Sequence, residues 1–290
     1  MAKNIVSPKR KPRRIVGTAG LPQLTYRGGP LIQNLEVTTI YWGNAWQNDP
    51  IRVQLDAFFD FIVTSSLIDQ LAEYNVPGFT IGHGKHVASL IVPQDPPAAV
   101  DDPAIVAFVQ QQIASGAVPA QNANSLYSVF TPSGVTVTLQ GSTSCQQFCG
   151  YHDTPDGSLF YAVVPYADCP GCDFAATVFD SMTVIASHEL CEAITDPIPG
   201  RGWYDDANGE IGDICEGSNK IINTAGVRAA ASTAFTTTVS ATVVVDGTTP
   251  VNLTVTLTPS GDCPQAPPPP SPGQSYTVQT EWSNAKGACV

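Results

Sequence analysis

The sequence predicts an α/β fold of the α+β type, in which helices pack on a mixed β-sheet. Two observations support this prediction. Segments that alternate like β-strands and segments with apolar residues at helical spacing follow one another along residues 31–224. Residues 225–290 contain instead two Thr/Val alternations and a proline-rich run, which indicates a β-rich region. Residues 1–30 form a basic tail without periodic apolar residues, which predicts disorder.

Periodicity defines the elements of the domain predicted over residues 31–224. Apolar side chains recur every three or four residues in the predicted helices, whereas the predicted strands are short and β-branched or aromatic. In chain order, the predicted elements are a strand over residues 35–42, a helix over 51–74 with a break near Ser65, a strand over 79–92, a helix over 101–115, strands over 125–131, 135–139 and 159–166, and a helix that starts near residue 175 and ends before Pro197. This order is typical of a mixed sheet with helices packed on it.

The C-terminal region has a different composition. Two Thr/Val alternations over residues 235–245 and 251–258, joined by a turn that begins with Asp-Gly, predict a β-hairpin. The proline-rich run over residues 264–272 predicts an extended connector. Residues 276–283 predict a final strand. We expect this region to pack on the preceding domain.

The charge distribution and the lengths of the apolar runs each exclude one class of partner. The chain carries 13 basic and 25 acidic residues, and six of the basic residues lie within the first 14 positions, where no acidic residue occurs. The rest of the chain therefore has 7 basic and 25 acidic residues, a net charge of −18, which would repel nucleic acid. No apolar run reaches the length of about 18 residues that a membrane span requires, so no membrane partner is expected.

The eight cysteines indicate an oxidising compartment. Four of them form two close pairs, Cys145 with Cys149 and Cys169 with Cys172, which favour disulfides. Two alternatives are a redox pair at Cys169 and Cys172 or a zinc cluster of four thiolates. The basic N-terminus lacks the apolar stretch of an ordinary signal peptide. We therefore expect an extracellular or secreted protein that is exported by another route or has a trimmed N-terminus.

The last predicted helix carries the residues of a metal site. His188 and Glu192 are four residues apart, so they lie on the same helical face and can bind one ion. Glu189 stands where the H-E-x-x-H motif of zinc peptidases places the general base that takes a proton from the zinc-bound water. Here the second ligand is a carboxylate, which zinc also accepts. The preceding turns are apolar, which predicts burial, and buried carboxylates need a cation or hydrogen bonds.

The third metal ligand has two candidate sources. Asp196 lies eight residues after His188 and extends the same helical stripe. Alternatively, the acidic loop from Asp205 to Glu216 returns Asp213 or Glu210 to the metal. The same loop could instead hold a separate Ca²⁺ through oxygen ligands, or form an exposed acidic turn.

Two other side chains are candidates for stabilising the oxyanion of a tetrahedral intermediate. They are Tyr204, which directly precedes the acidic loop, and His152, which follows Cys149 and Gly150. His83 and His86 lie in a Gly-His-Gly-Lys-His segment, which is as consistent with a tight turn bearing exposed imidazoles as with a pair of ligands.

Several short motifs resemble a known family. They are Tyr41-Trp42-Gly43-Asn44, the segment from Cys145 to His152, Tyr161 to Pro165, the turn from Cys169 to Cys172, the helix from Ser187 to Pro197, and the closing segment from Tyr276 to Cys289. In this order they resemble the phosphate-induced or Exordium-like secreted proteins of plants, over most of residues 35–290. The His-Glu-x-x-Glu helix and the order of elements resemble those of zincin-like metallopeptidases. The plant resemblance alone implies no activity.

Together these features predict a secreted, zinc-dependent, peptidase-like hydrolase that acts on peptides or proteins. The Zn²⁺ ligands would be His188, Glu192 and either Asp196 or a downstream carboxylate such as Asp213. Glu189 would accept the proton. The alternative is a non-catalytic, disulfide-stapled extracellular binding or structural protein, in which the same carboxylates hold Ca²⁺ or only hydrogen bonds.

Overall fold

The structure is a computed structural model that describes residues 22–223 and 274–290 with their side chains, and the backbone of residues 5–6, 237–245 and 249–257. The described residues form helices α1 (Pro50–Ile62), α2 (Ser66–Gln70), α3 (Asp102–Ala114) and α4 (Val178–Thr195), with 3₁₀ turns at Asn44–Gln47, Leu71–Tyr74 and Asp213–Cys215. The strands are β1 (Ile5–Val6), β2 (Thr25–Tyr26), β3 (Asn34–Trp42), β4 (Gly82–Val92), β5 (Ala99–Asp101), β6 (Ser125–Thr131), β7 (Thr136–Leu139), β8 (Ser142–Thr143), β9 (Gly150–Asp153), β10 (Tyr161–Pro165), β11 (Trp203–Tyr204), β12 (Asn219–Asn223), β13 (Thr237–Val245), β14 (Thr249–Leu257), β15 (Ser275–Gln279), β16 (Trp282–Ser283) and β17 (Ala288–Cys289). The predicted α+β class is confirmed.

A six-stranded mixed sheet forms the centre of the larger of two compact units. Its strand order is β1-β9-β10-β6-β3-β4. The strands from β10 to β4 pair in parallel, whereas β9 is antiparallel to β10 and β1 is antiparallel to β9. His152 lies on β9, so this histidine is close to the antiparallel edge of the sheet.

Both faces of the sheet are covered. Val37 and Tyr41 of β3 belong to the core shared with α1, α2 and α4, whereas Ile40 and Trp42 belong to the core shared with α3 and β7. This division follows from the strand geometry, because successive side chains point to opposite faces. The central strands are apolar on both sides, as is typical of parallel strands with two covered faces.

Helix α4 is buried on all sides from Ser181 to Thr195. It packs against β9 and β10 of the sheet, against α1, and against β15 of the C-terminal segment. The Thr183 hydroxyl donates to the Thr277 carbonyl at 2.6 Å, and the Gln279 amide donates to the Ser187 hydroxyl at 3.1 Å. The charged residues of this buried stretch therefore face protein instead of solvent.

The structure confirms most of the predicted elements. The predicted break near Ser65 separates α1 from α2, and the Ser65 side chain caps α2 by accepting a hydrogen bond from the Leu67 amide at 3.3 Å. Asp101 caps α3 by accepting from the Ala104 amide at 3.0 Å. Strand β9 was not predicted, because its four residues are too few to show an alternating pattern.

The chain divides into two compact units. One contains Met1–Asn223 and Ser275–Val290, and the other contains Thr224–Gln274. The predicted hairpin forms in the second unit, where β13 and β14 pair in register from Thr237 with Leu257 to Val245 with Thr249. The final strand belongs to the first unit and is divided into β15 and β16. The predicted polyproline connector at 264–272 lies outside the described residues.

The prediction that residues 1–30 are disordered is wrong for the part of this tail that the structure describes, which is the backbone of residues 5–6 and residues 22–30. Backbone of β1 pairs with β9, and β2 pairs with β11. Leu24 is buried in the core, as is Leu31, which directly follows the predicted tail. These apolar residues are too isolated in the sequence to show a period, yet they fill space between elements that are distant along the chain.

Three disulfides join segments that are distant in sequence. They link Cys145 to Cys169, Cys149 to Cys172, and Cys215 to Cys289. The two close pairs are therefore bonded to each other, so Cys169 and Cys172 form neither a redox pair with one another nor part of a thiolate zinc cluster. Cys191 is a buried free thiol, and Cys263 lies outside the described residues. The disulfides indicate an oxidising, extracellular environment. Within the described ranges, no helix is both long and apolar enough to cross a bilayer.

Candidate metal centre

Three polar residues of α4 converge in the last two turns of the helix. His188, Glu189 and Glu192 are each 0% exposed. His188 Nε2 lies 3.0 Å from Glu192 Oε1, which is the contact that a spacing of four residues predicts. Glu189 faces β9, because its Oε1 would lie 2.9 Å from a Cβ atom at Gly150. A glycine at position 150 therefore allows this strand to approach the helix.

Strand β9 brings a second histidine to the same place. His152 is buried, and its Nε2 lies 3.8 Å from Glu192 Oε2 and 3.3 Å from Glu210 Oε1. The sequence suggested His152 as an oxyanion stabiliser. The structure places its ring nitrogen among carboxylate oxygens, where it is also a candidate ligand.

The outer part of the acidic loop serves the fold. Asp205 accepts hydrogen bonds from the Gln23 and Ala207 amides, each at 2.8 Å. Asp206 forms an ion pair with Arg27 at 2.7 Å. Protein donors therefore engage the carboxylates of Asp205 and Asp206. The separate calcium site stays a prediction.

The inner part of the loop joins the centre. Glu210 is buried beside His152, and the Asp213 amide donates to Glu192 Oε1 at 3.1 Å. Gly212 makes this approach possible, because a Cβ atom there would lie 2.6 Å from His188 Nδ1 and 2.8 Å from Glu192 Oε1. The backbone of the loop therefore lies against α4, next to His188 and Glu192.

Two groups of three side chains could each hold an ion. In each group, one ligand atom per residue lies within 4.8 Å of the others, and the groups are His188, Glu192, Asp213 and His152, Glu189, Glu192. Two atoms that each lie about 2.1 Å from one zinc ion are at most about 4.2 Å apart. Either group can therefore hold one divalent cation after small shifts. Glu192 belongs to both.

Burial dominates the electrostatics of the centre. Burial and the neighbouring Glu192 carboxylate raise the pKa values of Glu210 and Asp213 well above their usual range. Burial lowers the pKa of His152 to about 4. Burial is the largest single influence on His188 and acts to lower its pKa, but the carboxylates of Glu192, Glu189 and Asp213 together outweigh it and raise this pKa well above its ordinary value. Without a bound cation, burial thus disfavours having all these groups charged at once.

Asp196, one of the candidates for the third metal ligand, lies among backbone amides of the turn after α4. Its carboxylate accepts hydrogen bonds from the amides of Gly200 at 2.6 Å, Arg201 at 3.0 Å and Gly202. Burial raises its pKa to about 6 despite these donors. Asp196 belongs to neither group of candidate ligands, and its hydrogen bonds hold the turn that follows α4.

Tyr204 lies at the border of the centre. The Arg27 guanidinium stacks over its ring at 4.6 Å from the centroid. Burial raises the pKa of Tyr204 to about 12, and the nearby carboxylates of Glu210 and Asp213 add to the increase. The phenol therefore stays protonated and able to donate a hydrogen bond, as the predicted role requires.

Sequence reasoning missed a fifth carboxylate, Glu281, which arrives from the C-terminal segment. It is 1% exposed, and within residues 22–223 and 274–290 neither side-chain oxygen has a hydrogen-bond partner. Its pKa is raised well above the usual range by burial, which the charge of His188 opposes and that of Glu192 reinforces. A cavity of about 160 Å³ adjoins it, lined also by Ile211 and Trp282. The sequence predicted only a final strand over residues 276–283 here, and a strand pattern does not show that Glu281 reaches the centre.

The remaining histidines lie elsewhere. His83 Nε2 is 2.8 Å from Asp69 Oδ1, and His86 Nδ1 is 2.9 Å from Asp60 Oδ1. Neither belongs to the candidate metal groups.

Comparison with known proteins adds no relative. No protein-family model matches the chain, and no curated protein sequence matches it.

Proposed function

We propose that this chain is a secreted, zinc-dependent hydrolase of the peptidase type. The observation that supports it most is Glu192 Oε2, which is fully buried and has no hydrogen-bond partner among the described residues. A buried polar group without a partner costs roughly 1–3 kcal/mol, and a charged one more. A divalent cation removes this cost. Imidazole and carboxylate ligands together suit zinc, and the three disulfides support an extracellular setting.

His188, Glu192 and Asp213 would hold the ion. They come from adjacent turns of α4 and from the loop that Gly212 brings against it. When bound, zinc supplies Lewis acidity, which polarises a carbonyl group and makes water a better nucleophile. The buried setting strengthens every electrostatic interaction at the reacting atoms.

The other residues of the centre would handle protons and charge. Glu189 is buried beside Glu192 and would accept a proton from the attacking water at its carboxylate. Tyr204 keeps its proton, so its hydroxyl can donate a hydrogen bond to the oxyanion that develops on the substrate.

A second candidate function rests on the burial of the same residues. His188, Glu189, Glu192 and Glu210 are all 0% exposed, as in a closed structural metal site. In that case the protein is a non-catalytic, disulfide-stapled extracellular binding or structural protein whose ion stabilises the fold.

One experiment separates the two functions. The full chain is purified without chelator, its metals are quantified, and hydrolysis of a fluorescent unfolded protein is measured for the wild type and for Glu189→Gln. We expect at least one zinc per chain in the wild type and in the variant. The rate of hydrolysis should fall about 100-fold or more in the variant. Zinc without hydrolysis in the wild type favours the structural site. Absence of bound metal overturns both functions.

A further inference from the structure

We propose that the centre binds two divalent cations, bridged by the carboxylate of Glu192. The first would be the ion already assigned to His188, Glu192 and Asp213, so this part rests on the proposed function. The second would be held by His152, Glu210 and the other oxygen of Glu192, with Glu189 beside it.

The two oxygens of Glu192 face different ligands. Oε1 lies 3.0 Å from His188 Nε2 and accepts the Asp213 amide at 3.1 Å. Oε2 points to the opposite side, where His152 Nε2 is 3.8 Å away, too far for a hydrogen bond. A carboxylate in this position can bind one ion with each oxygen.

The side chains on the Oε2 side form a site of their own. His152, Glu189 and Glu192 make one group of candidate ligands, and this group shares only Glu192 with the group around His188. Glu210 adds a further ligand, because its Oε1 lies 3.3 Å from His152 Nε2. Ligand atoms about 2.1 Å from the same ion are separated by about 3.4 Å in tetrahedral geometry, so this distance fits a shared ion.

A bridged pair of ions changes what the centre can do. Paired metal ions roughly 3.5–4 Å apart stabilise the attacking and the leaving oxygen of one reaction together. Glu189 has two oxygens, so a contact with the second ion through one of them leaves the other to accept a proton. The second ion is therefore compatible with the base role of Glu189.

The number of bound ions tests the proposal directly. The full chain is stripped with chelator, reloaded with Zn²⁺, desalted, and analysed for metal and protein. We expect two ions per chain in the wild type and one in Glu210→Gln and in His152→Ala. Asp206→Asn is the matched control, since Asp206 lies in the same loop but pairs with Arg27 away from the centre, and it should keep two ions.

A spectroscopic measurement covers the case in which the variants do not fold. Wild-type protein loaded with Mn²⁺ should give the electron paramagnetic resonance spectrum of an exchange-coupled ion pair. One zinc per chain together with the spectrum of isolated Mn²⁺ would overturn the two-ion centre and leave the proposed function intact. Two ions without hydrolysis would sink the proposed function and leave the two-ion centre standing. Absence of bound ions contradicts both.

Discussion

At Gly212 the acidic loop passes so close to α4 that a side chain cannot be accommodated. A Cβ atom there would meet the His188 ring and Glu192 Oε1, both rigidly held in a buried helix. We expect Gly212→Ala to destabilise the protein by about 1–3 kcal/mol, as overpacking does, and to weaken zinc binding. Chemical denaturation and zinc titration measure the two effects.

Gly217 offers a control in the same region. A Cβ atom there meets nothing within 4 Å, although its φ of +79° strains any other residue. Gly217→Ala should cost about 1 kcal/mol and leave zinc affinity unchanged. If both variants bind zinc like the wild type, the close approach of Gly212 has no role in the centre.

Substitution of Asp213 and of Asp180 should affect zinc affinity differently. Asp213 is a candidate ligand, whereas Asp180 accepts a hydrogen bond from the Thr177 hydroxyl at 2.7 Å in the first turn of α4. Asp213→Asn should lower zinc affinity tenfold or more, about 1.4 kcal/mol, because an amide is a weaker ligand than a carboxylate. Asp180→Asn should lower only stability. Equal zinc affinities for the two variants would remove Asp213 from the metal shell.

At the scale of elements, one disulfide ties the acidic loop to the end of the chain. The bond from Cys215 to Cys289 spans a sequence separation of 74 residues and connects the loop with the segment that contains Glu281. Replacing both cysteines by serine should reduce the free energy of unfolding by about 4 kcal/mol, because the unfolded chain gains freedom. Denaturant unfolding of the variant and of the wild type, both under non-reducing conditions, measures this difference. A loss below 1 kcal/mol would show that packing alone holds this end.

The N-terminal strand β1 covers the edge of β9, the strand that carries His152. Ile5 pairs with Tyr151 and Val6 with Gly150, in antiparallel register. An uncovered edge strand readily accepts another extended chain. Deleting residues 1–21 should therefore raise hydrogen exchange at the amides of Gly150–Asp153 and increase the rate on an unfolded protein substrate. Unchanged exchange in β9 would show that the pairing does not protect this edge.

At the scale of the whole molecule, the acidic centre makes stability depend on pH. The pKa values of Glu210, Asp213 and Glu281 are raised in the folded protein, chiefly by burial. The ion-free folded state therefore holds more protons than the unfolded state above about pH 4, so its stability falls as pH rises toward the folded pKa values. Bound cations favour the deprotonated carboxylates and reverse this loss.

The measurement is thermal unfolding with and without chelator. We expect chelator to lower the melting temperature by several degrees at pH 8 and by much less at pH 5. Asp180→Asn, which changes a carboxylate outside the centre, should show the same dependence as the wild type. An equal chelator effect at both pH values would mean that these carboxylates do not bind the cation.

Local periodicity was sufficient to predict a large part of the fold and about half of the residues of the centre. Positions four residues apart share a face in any α-helix, so His188 and Glu192 had to be neighbours once α4 formed. Caps such as Ser65 and Asp101 act within a few residues, so the helix boundaries that they set were also predictable.

The sequence by itself thus determined the α+β class, most helices and strands, and the three polar residues of α4. Only the tertiary structure decided that His152, Glu210 and Glu281 surround them, that Asp196 holds a turn instead, and that the close cysteine pairs are bonded to each other. The physical reason is the range of the interactions. Helical and strand periodicity depends on neighbours along the chain, whereas a buried centre depends on which distant segments meet when the apolar faces pack.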